Sequence, residues 1–113
     1  MRNEDKIRLK HMLDAARLAR DFAVGKNRKD LDKDIELVLA IIKAIEIIGE
    51  AANKVTDECQ NEYPQIPWME IIGMRNRLIH AYFDIDLDIV WQTVTKEIPE
   101  VIVELEKALN KVN

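Results

Sequence analysis

With 113 residues, the chain is long enough for one domain with a single modest core. Its residues are 48% hydrophobic and 34% charged, which excludes a disordered chain, and its three glycines and three prolines favour helices joined by short loops. The net charge of −4 argues against strong binding to nucleic acid of any sequence.

The first predicted element is a helix over residues 5–23, with an apolar face at helical spacing. That face consists of Ile7, His11, Leu18 and Phe22, widened by Leu9, Leu13 and Ala16. Because His11 lies on this face, we expect a partly buried structural histidine rather than a ligand or a catalyst.

A second, longer helix is predicted over residues 31–58, with Asp30 as its N-cap. It carries two apolar seams about 100° apart, each stepping by three and four residues. The first seam is Ile35, Val38, Ile42, Ile45, Gly49 and Ala52, and the second is Leu37, Ile41, Ala44, Ile48, Ala51 and Val55. Two seams need neighbours on two sides. The second neighbour is either a thick core of the same chain or another copy of the protein.

Residues 59–67 predict a connector, since Pro64 and Pro67 prevent helix continuation. A third helix then extends to about His80, and residues 82–85 turn the chain into a fourth helix capped by Asp84 or Asp86. Pro99 kinks that helix or begins a fifth. No segment shows a strand pattern that competes with these helices. The expected fold is therefore all-α, a single domain over residues 1–113 built as an up-and-down helical bundle of four to five helices.

The segment with the clearest chemistry is Arg75-Asn76-Arg77-Leu78-Ile79-His80-Ala81-Tyr82. Arginine is a permanent cation that holds phosphate in a planar fork, and histidine exchanges a proton near neutral pH. Arg75 and His80 are therefore candidate catalytic residues for cleaving RNA without a metal. Asn76 lies about 40° from His80 on a helical wheel and can hydrogen-bond to it or to a phosphate, or can be a polar surface residue.

Arg75 falls near the centre of the apolar arc of the third predicted helix, where an unpaired guanidinium is costly. It is either a salt-bridged structural residue or the lining of a cleft against a second protomer. On a regular helix His80 would lie about 140° further round, so the two side chains diverge unless the helix unwinds or two copies pool their groups. Pooling also supplies two histidines, one as a base and one as an acid.

The segment from Trp68 to Trp91, which contains this motif, resembles the HEPN superfamily and, within it, the HepT branch. The phrase Ile48-Gly49-Glu50-Ala51-Ala52 is similar to the same branch, so the resemblance covers nearly the whole chain. Ala81 departs from the glycine that is most frequent at its position, but it keeps a small residue there.

The resemblance implies a small, homodimeric, metal-independent endoribonuclease, the toxin of a HepT/MntA-type toxin–antitoxin pair. Arg75 and His80 would be catalytic and Asn76 supporting, at a composite site in the dimer interface with no cofactor. The expected partners are an RNA substrate and a cognate minimal nucleotidyltransferase antitoxin, which can join the homodimer in a larger hetero-oligomer. That enzyme would transfer AMP to Tyr82, whose ring could otherwise simply pack on the bundle. A bulky anionic adenylate there would pair with Arg75 and repel RNA.

Two other functions are compatible with the sequence. The first is a non-catalytic helical adaptor that binds the nucleotidyltransferase, which the net acidic charge favours. The second is a plain structural bundle in which Arg75 is a buried ion-pair partner. Glu50 is expected to be a solvated helix residue, although its place in the family phrase suggests more.

Charge is distributed unevenly along the chain. Residues 1–33 hold ten Lys and Arg against six acidic residues, whereas residues 34–113 hold seven against fifteen. An RNA-binding track would use this basic first third with Arg75 and Arg77, and the simpler interpretation is solvated helix surfaces. The single Cys59 excludes an internal disulfide, and neither a signal peptide nor a membrane-spanning run is apparent. We therefore expect a cytoplasmic protein without a membrane partner.

Overall fold

The computed structural model describes residues 1–81 and 84–112, with the backbone alone for Val112. Its helices are α1 (Asn3–Ala23), α2 (Asp30–Lys33), α3 (Ile35–Asn53), α4 (Asp57–Glu62), α5 (Trp68–Leu78), α6 (Leu87–Gln92) and α7 (Ile98–Val112). A π-helical segment at Thr93–Glu97 joins the last two helices, and strands β1 (Ile79–Ala81) and β2 (Asp84–Ile85) lie between α5 and α6. The predicted all-α bundle is confirmed.

Helix α3 lies at the centre of the bundle. It packs against α1 and α5, and α1 also contacts α7. Both predicted apolar seams of α3 are buried except Ile35, which is 56% exposed. The core of the same chain therefore covers both seams, and burial of this apolar surface is the main force that holds the fold. None of the described helices is long and apolar enough to cross a membrane.

The buried face of α1 agrees with only part of our prediction. Its fully buried residues are Leu9, Met12, Ala16 and Ala19. Ile7 and Leu18 are 49% and 47% exposed, and His11 is exposed as well. The predicted burial of Leu9, Leu13 and Ala16 is therefore confirmed, whereas the predicted burial of Ile7, Leu18 and His11 is wrong. Small alanines allow α1 to approach its neighbours closely, and this close packing outweighs burial of two larger side chains.

The second predicted helix is divided by capping residues. Asp34 begins α3, because its side chain accepts a hydrogen bond from the Leu37 amide at 3.0 Å. Asp30, the predicted N-cap, lies instead in the short α2. Thr56 begins α4 by accepting from the Cys59 amide at 3.2 Å, so the helix predicted to reach residue 58 ends earlier. Each capping side chain accepts a hydrogen bond from a backbone amide at the start of a helix. In a continuous helix that amide would have bonded to a carbonyl of the preceding turn.

A short antiparallel hairpin follows α5, although the sequence predicted no strand. Ile79 pairs with Ile85 and Ala81 with Asp84, with a register irregularity between them. The third predicted helix therefore ends at Leu78, so the prediction that it extends to about His80 is wrong. Unwinding at this point takes His80 off the helix.

The chain beyond the hairpin follows the predicted signals. Asp86 caps α6 by accepting from the Ile89 amide at 3.1 Å. Pro99 has no amide to donate and its ring crowds the preceding turn. The helix widens just before it, where the Ile98 amide donates to the Thr93 carbonyl in π-helical spacing. A final helix then begins at Ile98, as predicted for a fifth helix.

Candidate active site

A glycine lets the two helices that carry the site approach each other closely. A Cβ atom added to Gly49 on α3 would lie 3.1 Å from the Ile71 carbonyl oxygen and 3.4 Å from that of Ile72 on α5. One turn earlier on α3, Glu46 meets Arg75, which is one turn later on α5. The two helices therefore run antiparallel, and their contact fixes where Arg75 lies.

Arg75 lies at the edge of the buried face of α5. Its side chain is 45% exposed, and the Nε atom lies 3.6 Å from Glu46 Oε2. Its Nη1 atom donates a long hydrogen bond of 3.4 Å to Asn76 Oδ1. The face that packs inward consists of Trp68, Ile71, Met74 and Leu78. Arg75 is thus neither at the centre of the buried arc nor a buried ion-pair partner, and its guanidinium is accessible to an anion.

Glu46 also bonds to a second cation, and sequence reasoning missed this pair. Lys43 Nζ lies 3.0 Å from Glu46 Oε1, and this hydrogen bond raises the pKa of the Lys43 ammonium. With Arg75 these side chains hold two positive charges and one negative charge, and the Glu50 carboxylate, which also interacts with Lys43, adds a second negative charge. The available signal was the three-residue step from Lys43 to Glu46 to Gly49 along one edge of the helix.

A shallow groove of about 200 Å³ contacts Glu46 and Arg75 of this cluster. It is lined by Glu46, Gly49, Glu50, Asn53, Ile72, Arg75 and Asn76. A second concavity of about 380 Å³ contacts residues of α5 and α7. Its lining includes Glu70, Glu97, Glu100 and Glu104 and contains no lysine or arginine. Since carboxylates repel phosphate, the smaller groove, which has Arg75 beside its two carboxylates, is better suited to an RNA backbone than this second concavity.

His80 is exposed on β1. Its neighbour Ile79 packs against the core, and successive residues of a strand point to opposite faces, so His80 faces away from the core. Within the described residues, no hydrogen bond or ion pair joins Arg75 to His80. The prediction for Tyr82 lies outside the described residues.

The other basic residues of the predicted RNA track are partly neutralised. Arg77 lies 3.5 Å from Glu97 Oε1, on the far side of α5 from the groove. Arg17 pairs with Glu106 at 2.7 Å. Arg28 pairs with both Asp32 and Asp88. These pairs reduce the positive potential that the basic first third would otherwise offer to RNA.

The remaining reactive groups do not form a second centre. In the parts of the chain that the structure describes, no three His, Cys, Asp or Glu side chains are grouped as metal ligands. Cys59 is buried, and loss of solvation together with the nearby Asp5 carboxylate raises the pKa of its thiol to about 11. A thiol that is protonated at neutral pH is a structural residue rather than a nucleophile.

An all-helical bundle with an exposed arginine at the end of one helix and an exposed histidine five residues later is of the HEPN type. A family model described as "Ribonuclease HepT-like" matches residues 12–108. The chain belongs to this HepT-like ribonuclease family.

Three relatives illustrate the similarity. A protein of Caldanaerobacter subterraneus subsp. tengcongensis named "Putative RNase" is 37% identical over 103 residues, covering 91% of this chain and 92% of the relative. "Probable ribonuclease HepT" of Thermococcus cleftensis is 36% identical over 107 residues, which cover 95% of this chain and 97% of the relative. "Gamma-glutamylcyclotransferase and putative RNase" of Methanocaldococcus jannaschii is 36% identical over all 113 residues, which span 51% of that protein. No solved structure matches the chain.

Proposed function

We propose that this protein is a metal-independent endoribonuclease that cleaves RNA by attack of the ribose 2′-hydroxyl on the adjacent phosphate. The observation that carries the proposal is the accessible Arg75 guanidinium, in a groove beside Asn76, five residues before the exposed His80. Membership of a ribonuclease family supports the same chemistry.

The chemistry needs more than one chain can offer. A base must remove the proton of the 2′-hydroxyl, and an acid must protonate the leaving 5′-oxygen. The motif supplies one histidine per chain, so two protomers supply both groups. The two Arg75 guanidiniums then stabilise the charge that develops on the phosphorane oxygens. The expected products are a 2′,3′-cyclic phosphate and a 5′-hydroxyl.

Exposed apolar residues on the two helices that form the groove support a homodimer. On α3, Ile35 and Leu39 are 56% and 46% exposed and lie within about 40° of Glu46 around the helix. On α5, Met69 is 80% exposed, and it precedes Ile72 by one helical step. Apolar residues flanking a polar groove are typical of an interface between protein copies. A twofold dimer through these helices would place two grooves opposite each other.

The test is cleavage of a labelled single-stranded RNA in the presence of EDTA. We expect His80→Ala and Arg75→Ala to lower the rate by roughly 10²–10⁴-fold, as loss of an acid–base or charge-stabilising group does. His11→Ala is a matched control, because His11 is the other exposed histidine and lies on α1. A folded wild type that leaves RNA intact, or a His80→Ala variant of full activity, contradicts the proposal.

We further propose that the protein is a toxin, silenced when a partner minimal nucleotidyltransferase transfers AMP to Tyr82. The support is the position of Tyr82 in the motif, two residues after His80. The partner and ATP should increase the intact mass of the wild type by one adenylyl group per modified site. Tyr82→Phe should show no increase, whereas a retained increase would assign the acceptor to another residue.

A non-catalytic adaptor for the same partner is the second candidate. The net charge of −4 and the ion pairs of Arg17 and Arg28 favour it, since both weaken attraction to RNA. Expression of the chain alone separates the two functions. A nuclease toxin arrests growth in a manner that His80→Ala abolishes, whereas an adaptor leaves growth unchanged.

A further inference from the structure

The motif arginine has an acidic neighbour on another helix. Glu46 Oε2 lies 3.6 Å from Arg75 Nε, and Glu46 Oε1 accepts a hydrogen bond from Lys43 Nζ at 3.0 Å. Both carboxylate oxygens therefore face a cation. The carboxylate bridges a lysine of its own helix and the arginine of α5.

Packing restricts this carboxylate more than it restricts either cation. The Glu46 side chain is 30% exposed, compared with 65% for Lys43 and 45% for Arg75. Gly49, three residues later on α3, allows the α5 backbone to approach closely. The distance between Glu46 and Arg75 is thus set by the contact of two helices, and not only by the choice of side-chain rotamers.

The contacts of Arg75 leave one edge of the guanidinium for a ligand. The Nε side faces Glu46 and the Nη1 atom donates to Asn76 Oδ1. The Nη2 atom has neither contact. Because a guanidinium is planar, the two contacts, at 3.6 and 3.4 Å, favour one direction for this remaining edge. Lys43 offsets the charge of Glu46, so the pair of Lys43 and Glu46 adds no net charge beside Arg75.

We propose that Glu46 is a positioning residue that holds the Arg75 guanidinium with its Nη2 edge toward the phosphate of bound RNA, and that Lys43 holds Glu46 in place. This inference rests on the nuclease function proposed above. Glu46 acts through Arg75, so its loss should lower kcat and leave KM nearly unchanged.

The kinetic test compares three variants on a labelled single-stranded RNA. Glu46→Gln should lower kcat about tenfold with KM within about twofold, because small misplacement of a charge-stabilising group slows the chemical step. Lys43→Met should give a smaller loss of kcat in the same direction. Glu36→Gln is the matched control, since it removes the same charge from an exposed position of α3 and should leave both constants unchanged.

The positioning role is overturned if Glu46→Gln keeps the wild-type kcat. If Lys43→Met then raises KM, Lys43 contacts RNA directly instead of holding Glu46.

A spectroscopic experiment tests this inference independently of the nuclease function. The Nε–H resonance of Arg75 is assigned by its loss in Arg75→Lys, and inorganic phosphate serves as the probe. In the wild type we expect a shifted, slowly exchanging signal that moves further with phosphate. In Glu46→Gln it should return toward the position of a free arginine. Identical signals in the two proteins overturn the pairing. A folded wild type that cleaves no RNA overturns the nuclease function alone, and the resonance then decides whether Glu46 orients Arg75.

Discussion

Gly49 on α3 lies directly against the backbone of Ile71 on α5. A Cβ atom at Gly49 would be 3.1 Å from the Ile71 carbonyl oxygen, which is closer than ordinary van der Waals contact. The neighbour is backbone rather than a flexible side chain, so it cannot rotate away. The close approach also sets the distance between Glu46 and Arg75, and stability and site geometry therefore depend on the same contact.

We predict that Gly49→Ala destabilises the fold despite the better helix propensity of alanine. The propensity gain is about 1 kcal/mol, whereas forcing α5 outward costs about 1–3 kcal/mol, so the expected net loss is about 1 kcal/mol. Denaturant unfolding measures it. RNA cleavage should fall as well, since Arg75 moves with α5.

Gly73→Ala is the control for this substitution. Gly73 lies on α5, and a Cβ atom there would meet nothing within 4 Å. The variant should gain about 0.5–1 kcal/mol from helix propensity alone. If Gly49→Ala raises the free energy of unfolding as much as Gly73→Ala does, the two helices can separate freely and their close contact is not a constraint.

Local signals in the sequence predicted those parts of the fold that depend on a single turn. Asp86 caps α6 because its carboxylate is next to an orphan amide, and Pro99 marks the start of α7 because it has no amide to donate. The all-α class follows from the periodicity of the two seams in the same way. These features require no knowledge of distant residues.

Features that depend on contacts between helices were not predictable from local pattern. Ile7 and Leu18 define an apolar face by size, yet the small Ala15 and Ala19, which were not predicted to be buried, fit against the neighbouring helices instead. The ion pair of Glu46 with Arg75 requires the close contact between α3 and α5. In the segment that contains Arg75 and His80, the placement of His80 on a strand was likewise not predicted.

We predict that Asp5→Ala destabilises the protein by about 2–4 kcal/mol. Asp5 is 2% exposed, and its carboxylate accepts from the Thr56 amide at 2.9 Å and from the Thr56 hydroxyl at 2.7 Å. Removing it leaves two partly buried donors of Thr56 unsatisfied at the start of α4 and empties the buried space that the carboxylate fills. Glu4→Ala, at an exposed neighbouring position, should change the free energy of unfolding by less than about 0.5 kcal/mol. Equal effects of the two variants would contradict a role for this hydrogen-bonded link.

Alkaline pH should weaken the fold through Cys59. Burial raises the pKa of its thiol from 9.0 to about 11 in the folded state. The folded chain therefore binds this proton more tightly than the unfolded chain. The contribution of the neutral thiol to the free energy of unfolding is fully present below pH 9. It is lost as the pH rises toward 11, and the free energy of unfolding then falls by at most about 1.4 kcal/mol per pH unit.

Cys59→Ala tests the assignment of this pH dependence. It should remove most of the decline between pH 9 and 11, although its free energy of unfolding at pH 7 will be lower because a buried side chain is truncated. Iodoacetamide should alkylate the native wild type slowly at pH 8 and the unfolded chain rapidly. A steep decline that persists in Cys59→Ala would have to come from other groups, of which Tyr63 is one, because burial raises the pKa of its phenol too.

The proposed dimer predicts different effects for two leucines of equal exposure. Leu39 and Leu18 are 46% and 47% exposed, but Leu39 lies on α3, two turns before Glu46 on the same side of the helix, whereas Leu18 lies on α1. Leu39→Glu should weaken self-association more than tenfold, because a charge buried in an apolar interface is costly. Leu18→Glu should leave it unchanged. Sedimentation velocity over a range of protein concentrations measures both, and RNA cleavage should fall with the dimer fraction. A Leu39→Glu protein that dimerises and cleaves as the wild type does would show that the two grooves meet through another surface, or that one chain acts alone.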